Sequence, residues 1–130
     1  MYRWGEHVGE LELELEAPTE PALFRDAFAA FCELAGGDGE TDGEQRTIEL
    51  EGGDRGGLLA DWLDELVYLA DAEQFVPERL VELRLDDGRL RAVVRGHRGA
   101  PSCLVKAVTR HRLAFEPAPG GWWARVVLDV

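Results

Sequence analysis

Lysine is almost missing from this chain of 130 residues: of 14 basic residues, only Lys106 is a lysine and the other 13 are arginines. Basic residues are also outnumbered, 14 against 26 acidic ones, for a formal charge of −12. That balance excludes a free nucleic-acid binder, because phosphate contacts need clustered Lys and Arg. An anionic membrane surface repels the chain for the same reason. Cysteine is scarce too. Cys32 and Cys103 form no CxxC pair and show no metal-ligand spacing, so they read as small buried hydrophobes in a reducing compartment. No apolar run approaches the ~20 residues of a membrane span. The start, MYRWGEHVGE, lacks an apolar signal region. These absences lead us to expect a cytoplasmic protein. There is also no GxSxG, GxxxxGK[ST] or HExxH pattern, so no familiar hydrolytic or nucleotide-binding chemistry is encoded. The balance of charge favours a cation, or a basic face on another protein, as partner.

What is present is globular. Apolar residues make up 45% and charged residues 31%, and ~100–200 residues is the usual size of one domain. We therefore expect a single domain over residues 1–130. Glu10-Leu11-Glu12-Leu13-Glu14-Leu15-Glu16 alternates with period two, a strand with leucines inward and glutamates outward. Thr19 and Pro21 open a helix to about Leu34 with an apolar stripe of Leu23, Ala27, Phe28, Phe31 and Leu34, stopped by Gly36 and Gly37. Gly36 to Glu44 reads as an exposed loop, 46–51 as a short strand and Gly52 to Gly57 as another loop. Residues 58–71 form the clearest helix, apolar at Leu58, Leu59, Trp62, Leu63, Leu66, Leu69 and Ala70 and acidic at Asp61, Asp64, Glu65 and Asp71. Ala72 to Pro77 reads as a turn. Beyond it come strands at 80–85 and 90–96 joined by Asp87-Gly88, a loop at 97–102, a strand or helical turn at 104–109, and strands at 110–116 and 122–130. The order β-α-β-α-β-β-β-β does not fit a doubly wound parallel sheet. The fold class expected is α+β, two helices on a mostly antiparallel sheet of about six strands.

Terminal strands of a small sheet often lie side by side, so His7, Glu10, Asp129 and the Val130 carboxylate are candidates to meet. Two carboxylates and a terminal oxygen suit a hard cation. The alternative is that Glu10 is one more solvated glutamate in a charged run. His7, Glu10 and Asp129 also read as a weak acid–base set for a metal-dependent hydrolase. Arg95, Arg98, Arg110 and Arg112 flank His97 and His111 and straddle Lys106. They read either as a contact for an acidic partner or phosphate, or as surface ion pairs with the excess acids. Trp122 and Trp123 face opposite sides of one strand, so one belongs to the core and the other to an outer face.

Several segments together resemble the archease family. Lys106-Ala107-Val108-Thr109-Arg110-His111 resembles its Lys-Ala-(Val/Ile)-Thr-x-His pattern, and Trp123 to Val130 resembles its last strand, which ends in Asp and an aliphatic residue. Leu58-Leu59, Trp62-Leu63-Asp64-Glu65-Leu66 resembles its LLxxWLNELL helix, and Glu6-His7-Val8-Gly9-Glu10 its (E/D)HTAD segment. The resemblance covers essentially the whole chain. It implies a non-catalytic activator of an RtcB-type RNA ligase. That ligase uses GTP and a divalent metal to form a guanylylated histidine and joins RNA ends in tRNA splicing or RNA repair. The resemblance further implies a divalent cation, calcium-like, at Glu10, Asp129 and Val130. It gives activation and partner contact to Lys106, His7, Asp129 and His111. Val8, Gly9 and Glu10 stand where the family has Thr, Ala and Asp. Glu10 is one methylene longer, which a flexible Ca²⁺ site absorbs better than a rigid Mg²⁺ site. Outside that resemblance, the chain also reads as a general adaptor or chaperone working through an exposed Trp face.

Overall fold

A computed structural model of the chain describes residues 1–36 and 43–130. Alternation at the N-terminus builds a hairpin. Strand β1 (Tyr2–His7) runs antiparallel to β2 (Glu10–Ala17), joined by Val8-Gly9 with Gly9 at φ +73°. Only glycine adopts that backbone without strain. Leu13 and Leu15 are buried and Leu11 is half-buried, as the period-two pattern requires. Thr19 Oγ1 accepts the Ala22 N–H at 3.2 Å and starts α1 (Glu20–Ala35). Gly36, at φ +88°, ends it in the left-handed conformation. The expected Gly-rich loop falls largely on residues 37–42, outside those described.

After β3 (Glu44–Glu51) comes α2 (Arg55–Ala72). It starts three residues before the apolar pattern does, because Asp54 Oδ1 accepts the Gly57 N–H at 2.6 Å. Gly56 and Gly57, poor helix formers, hide that first turn in the sequence. Then follow β4 (Phe75–Asp86), β5 (Arg89–Arg98), β6 (Ala107–Ala118) and β7 (Gly121–Asp129). Two expectations change here. Phe75 to Pro77, read as a turn, opens β4. Pro77 fits because β4 is an edge strand and its register shifts between Pro77 and Arg79. Residues 97–98, read as loop, extend β5. The ambiguous stretch 104–109 resolves into an irregular approach and then β6 from Ala107.

The strands form two antiparallel sheets, β1-β2-β7-β6 and β3-β5-β4. The expected class, two helices on antiparallel sheet in an α+β fold, holds; β1 brings the strands to seven. Both helices contact both sheets, α1 through β2 and β4 and α2 through β6 and β4. One core joins them: Leu13, Leu15, Phe24, Trp62, Leu66, Phe75, Val126 and Leu128 are all nearly or fully inaccessible. Trp62 Nε1 donates to the Phe24 carbonyl at 3.1 Å, so the largest core side chain also ties α2 to α1.

Candidate functional site

Register decides what meets at the open end of the first sheet. Glu10 lies directly opposite Asp129, and Asp129 directly opposite Ala107. His7 pairs with Glu10 across the hairpin. The Val130 N–H donates to the Gly9 carbonyl at 3.0 Å, and the Lys106 N–H donates to the Asp129 carbonyl at 2.8 Å. Strands β1, β2 and β7, with the segment that leads into β6, thus bring His7, Glu10, Asp129, Val130 and Lys106 to one end of the sheet. Opposite residues of an antiparallel pair share a face, so Glu10 and Asp129 both point away from the leucine core. They are half-exposed.

The donors are hard oxygens with no thiolate, the class that suits Ca²⁺ or Mg²⁺. Among the described residues, however, no group of three or more His, Cys, Asp or Glu side chains gathers to hold a metal ion. Two carboxylates fall short of the 6–8 oxygens calcium takes, so main-chain oxygens, water or a partner must complete any shell. His7 does not join the carboxylates as a third side-chain ligand.

His111 lies elsewhere. Thr109 pairs with Val127 but Ala114 pairs with Arg125, so Arg110 to Leu113 bulge opposite Val126 alone. His111 sits in that bulge, exposed, its N–H held by Thr109 Oγ1 at 3.0 Å. Arg112, at φ +60°, reaches back so that its Nη1 lies 2.8 Å from Glu12 Oε1, and its carbonyl accepts from Arg125 Nε at 2.8 Å. The Glu12 contact is electrostatic, since Oε1 is buried and receives no aligned hydrogen bond. The strand alternation gave no hint of this pairing, because a bulge of this size leaves no period to read.

The basic cluster of the sequence is divided by the fold. Arg95 and Arg98 lie on β5 in one sheet, Arg110 and Arg112 on β6 in the other. Each is already engaged: Arg98 with Glu44 at 2.6 Å, Arg110 with Asp61 at 2.6 Å, Arg112 with Glu12, and Arg95 with the Gly43 carbonyl at 2.9 Å. The ion-pair reading holds for Arg98, Arg110 and Arg112, whereas Arg95 donates to the Gly43 carbonyl and the Gln45 amide oxygen. His97 meets the buried carboxylate of Glu78. Trp122 packs against the core with the Arg55 guanidinium 4.7 Å from its ring, and Trp123 on the outer face carries Arg125 at 5.3 Å. Trp123 is therefore covered by charge rather than presented as a bare apolar face. Among the described residues no helix is long and apolar enough to cross a membrane.

Comparison with known proteins agrees with the fold. The model of the archease protein family matches residues 2–130. The chain belongs to the archease family. The archease of Pyrobaculum neutrophilum is 32% identical, with 99% of this chain and 95% of that protein covered. That of Methanopyrus kandleri is 34% identical, with 96% of each covered. Among solved structures, protein 1598 of Methanobacterium thermoautotrophicum superposes with a TM-score of 0.76 at 25% identity, over 99% of this chain and 98% of that one. A Thermotoga maritima archease described as a possible chaperone shares the fold with a TM-score of 0.73 at 21% identity, over 100% and 98%. Within this archease fold the turn that carries Glu10 and the end of the last strand are neighbours across β2 and β7, because their register sets Glu10 against Asp129.

Proposed function

We propose that this archease-family protein is a non-catalytic activator of an RtcB-type RNA ligase, promoting its guanylylation and repeated turnover in tRNA splicing or RNA repair. The observation that carries the reading is the convergence of Glu10, Asp129, Val130 and the single lysine, Lys106, at one end of the sheet. In this reading Glu10, Asp129 and the Val130 oxygen hold a divalent cation, calcium by preference. A bound divalent cation supplies concentrated positive charge for phosphate oxygens. Lys106, held to Asp129 through the main chain, adds a compact ammonium at the same end of the sheet, a point charge that an arginine fork does not reproduce. His7 sits on the adjacent strand and forms part of the contact with the ligase, and His111 contributes from the bulge. The protein's net negative charge suits approach to a basic partner rather than to free RNA.

The test is multiple-turnover ligation by the host's ligase with sub-stoichiometric amounts of this protein. Stimulation is expected with wild type and is expected to fall at least about tenfold with Asp129→Ala or Lys106→Ala, both checked for an unchanged melting curve. Stimulation by both variants at the wild-type level would sink the reading. The same assay without ligase separates out the hydrolase alternative: release of product by this protein and a metal alone would make it an enzyme.

A further inference from the structure

Five large apolar side chains are exposed among the described residues: Met1, Val8, Tyr68, Val81 and Leu104. Exposed apolar residues scattered singly need no explanation. Three of these five surround the Asp129–Lys106 end of the sheet. Val8 is fully exposed at the tip of the β1–β2 turn, beside Gly9, whose carbonyl holds the Val130 N–H. Leu104, 58% exposed, lies two residues before Lys106. Tyr68, 54% exposed, lines a groove of about 470 Å³ along α2 together with Lys106. Gly9 and Lys106 flank β7, so the two sides of this end are about two strand spacings, roughly 10 Å, apart.

The groove has a marked sign. Asp64, Glu65 and Asp71 line it with Leu50 and Val67, and Lys106 is the single cation among its described lining residues. Asp61 on its wall is answered by Arg110. Partial burial, then the charges of Glu73 and Asp64, push the Glu65 carboxyl above its ordinary range. Acids crowded against each other are relieved by a cation supplied from outside.

We propose that this end of the molecule is a docking surface for a folded protein partner, which lays a cationic segment in the α2 groove and apolar side chains on Tyr68, Leu104 and Val8. A second copy of this chain is the wrong occupant: it carries −12 overall and would set acids against acids. The inference rests on the activator reading for the identity of the partner, the ligase.

The experiment titrates the host's ligase against this protein by interferometry, with ligation measured in parallel. Wild type is expected to bind, more weakly as salt rises. Tyr68→Ala/Leu104→Ser is expected to bind about tenfold or more weakly, with its melting curve unchanged. Asp64→Asn/Asp71→Asn should flatten the salt dependence. Val81→Ser, equally exposed but on β4, should bind as wild type does. Equal binding by Tyr68→Ala/Leu104→Ser and wild type overturns the docking surface and leaves the activator reading standing. Wild type that binds without stimulating overturns the activator reading, and the surface is then judged by the variants alone. Wild type that does not bind the ligase overturns both. Self-association in sedimentation velocity that Tyr68→Ala/Leu104→Ser abolishes assigns the surface to a second copy and overturns the proposal.

Discussion

Cys32 and Cys103 show how far one residue type can diverge within a fold. Cys32 lies in α1 at 8% exposure, and burial, then the nearby Glu78 carboxylate, push its thiol up to about 12. Cys103 is half-exposed in the segment before β6. Because the thiolate is the nucleophile, native protein at pH 8 should take up one iodoacetamide per chain, at Cys103, and a second only after unfolding. Peptide mass spectrometry reads this directly, and rapid labelling of Cys32 in the native state would contradict it. A thiol whose folded pKa is raised favours the fold below the ordinary value of 9.0. That contribution fades as pH rises from there toward about 12. The sequence offered the two cysteines as equivalent small hydrophobes. Their difference depends on which helix face and which loop each occupies.

At the scale of elements, boundaries were less legible than interiors. The leucines of β2 and the apolar stripe of α1 were readable because a buried face imposes its period on the sequence. The start of α2 was not, since a cap acts through one side chain and two glycines diluted the helical signal. Asp54 Oδ1 satisfies the Gly57 N–H at 2.6 Å. Asp54→Ala should therefore cost about 0.5–2 kcal/mol, seen as a lower urea midpoint at unchanged slope. An unchanged midpoint would mean that water or a neighbour caps the helix equally well. β1 escaped notice for a related reason. It is an edge strand whose residues are mostly half-buried or exposed, so burial leaves little alternation in it.

The whole molecule is held together where α1, α2 and both sheets converge. Trp62 is inaccessible, its ring lies 6.0 Å from that of Phe28, and its indole N–H bonds across to α1. Trp62→Ala should cost about 3–5 kcal/mol and remove the indole donor that ties α2 to the Phe24 carbonyl of α1. Trp62→Phe, which keeps the ring and loses only the N–H, should cost distinctly less. Chemical denaturation of the two variants separates packing from hydrogen bonding. A loss below 1 kcal/mol in Trp62→Ala would show that the helices do not depend on this contact.

The sequence by itself determined the α+β class, the inward faces of β2, α1 and α2, and the acidic charge. Each depends on local periodicity or on composition, which survive without any knowledge of partners. It also held both halves of the archease signature, separated by more than a hundred residues. Only the tertiary structure decided that β2 and β7 are neighbours in the register that sets Glu10 against Asp129, and that Lys106 is fastened to Asp129 through the main chain. It alone placed Tyr68 of α2 in one groove with Lys106 and divided the arginine cluster between two sheets, each arginine with its own partner. Strand order and register are set by the cooperative burial of one core, in which each pairing gains only when the others have formed. No single segment carries that information.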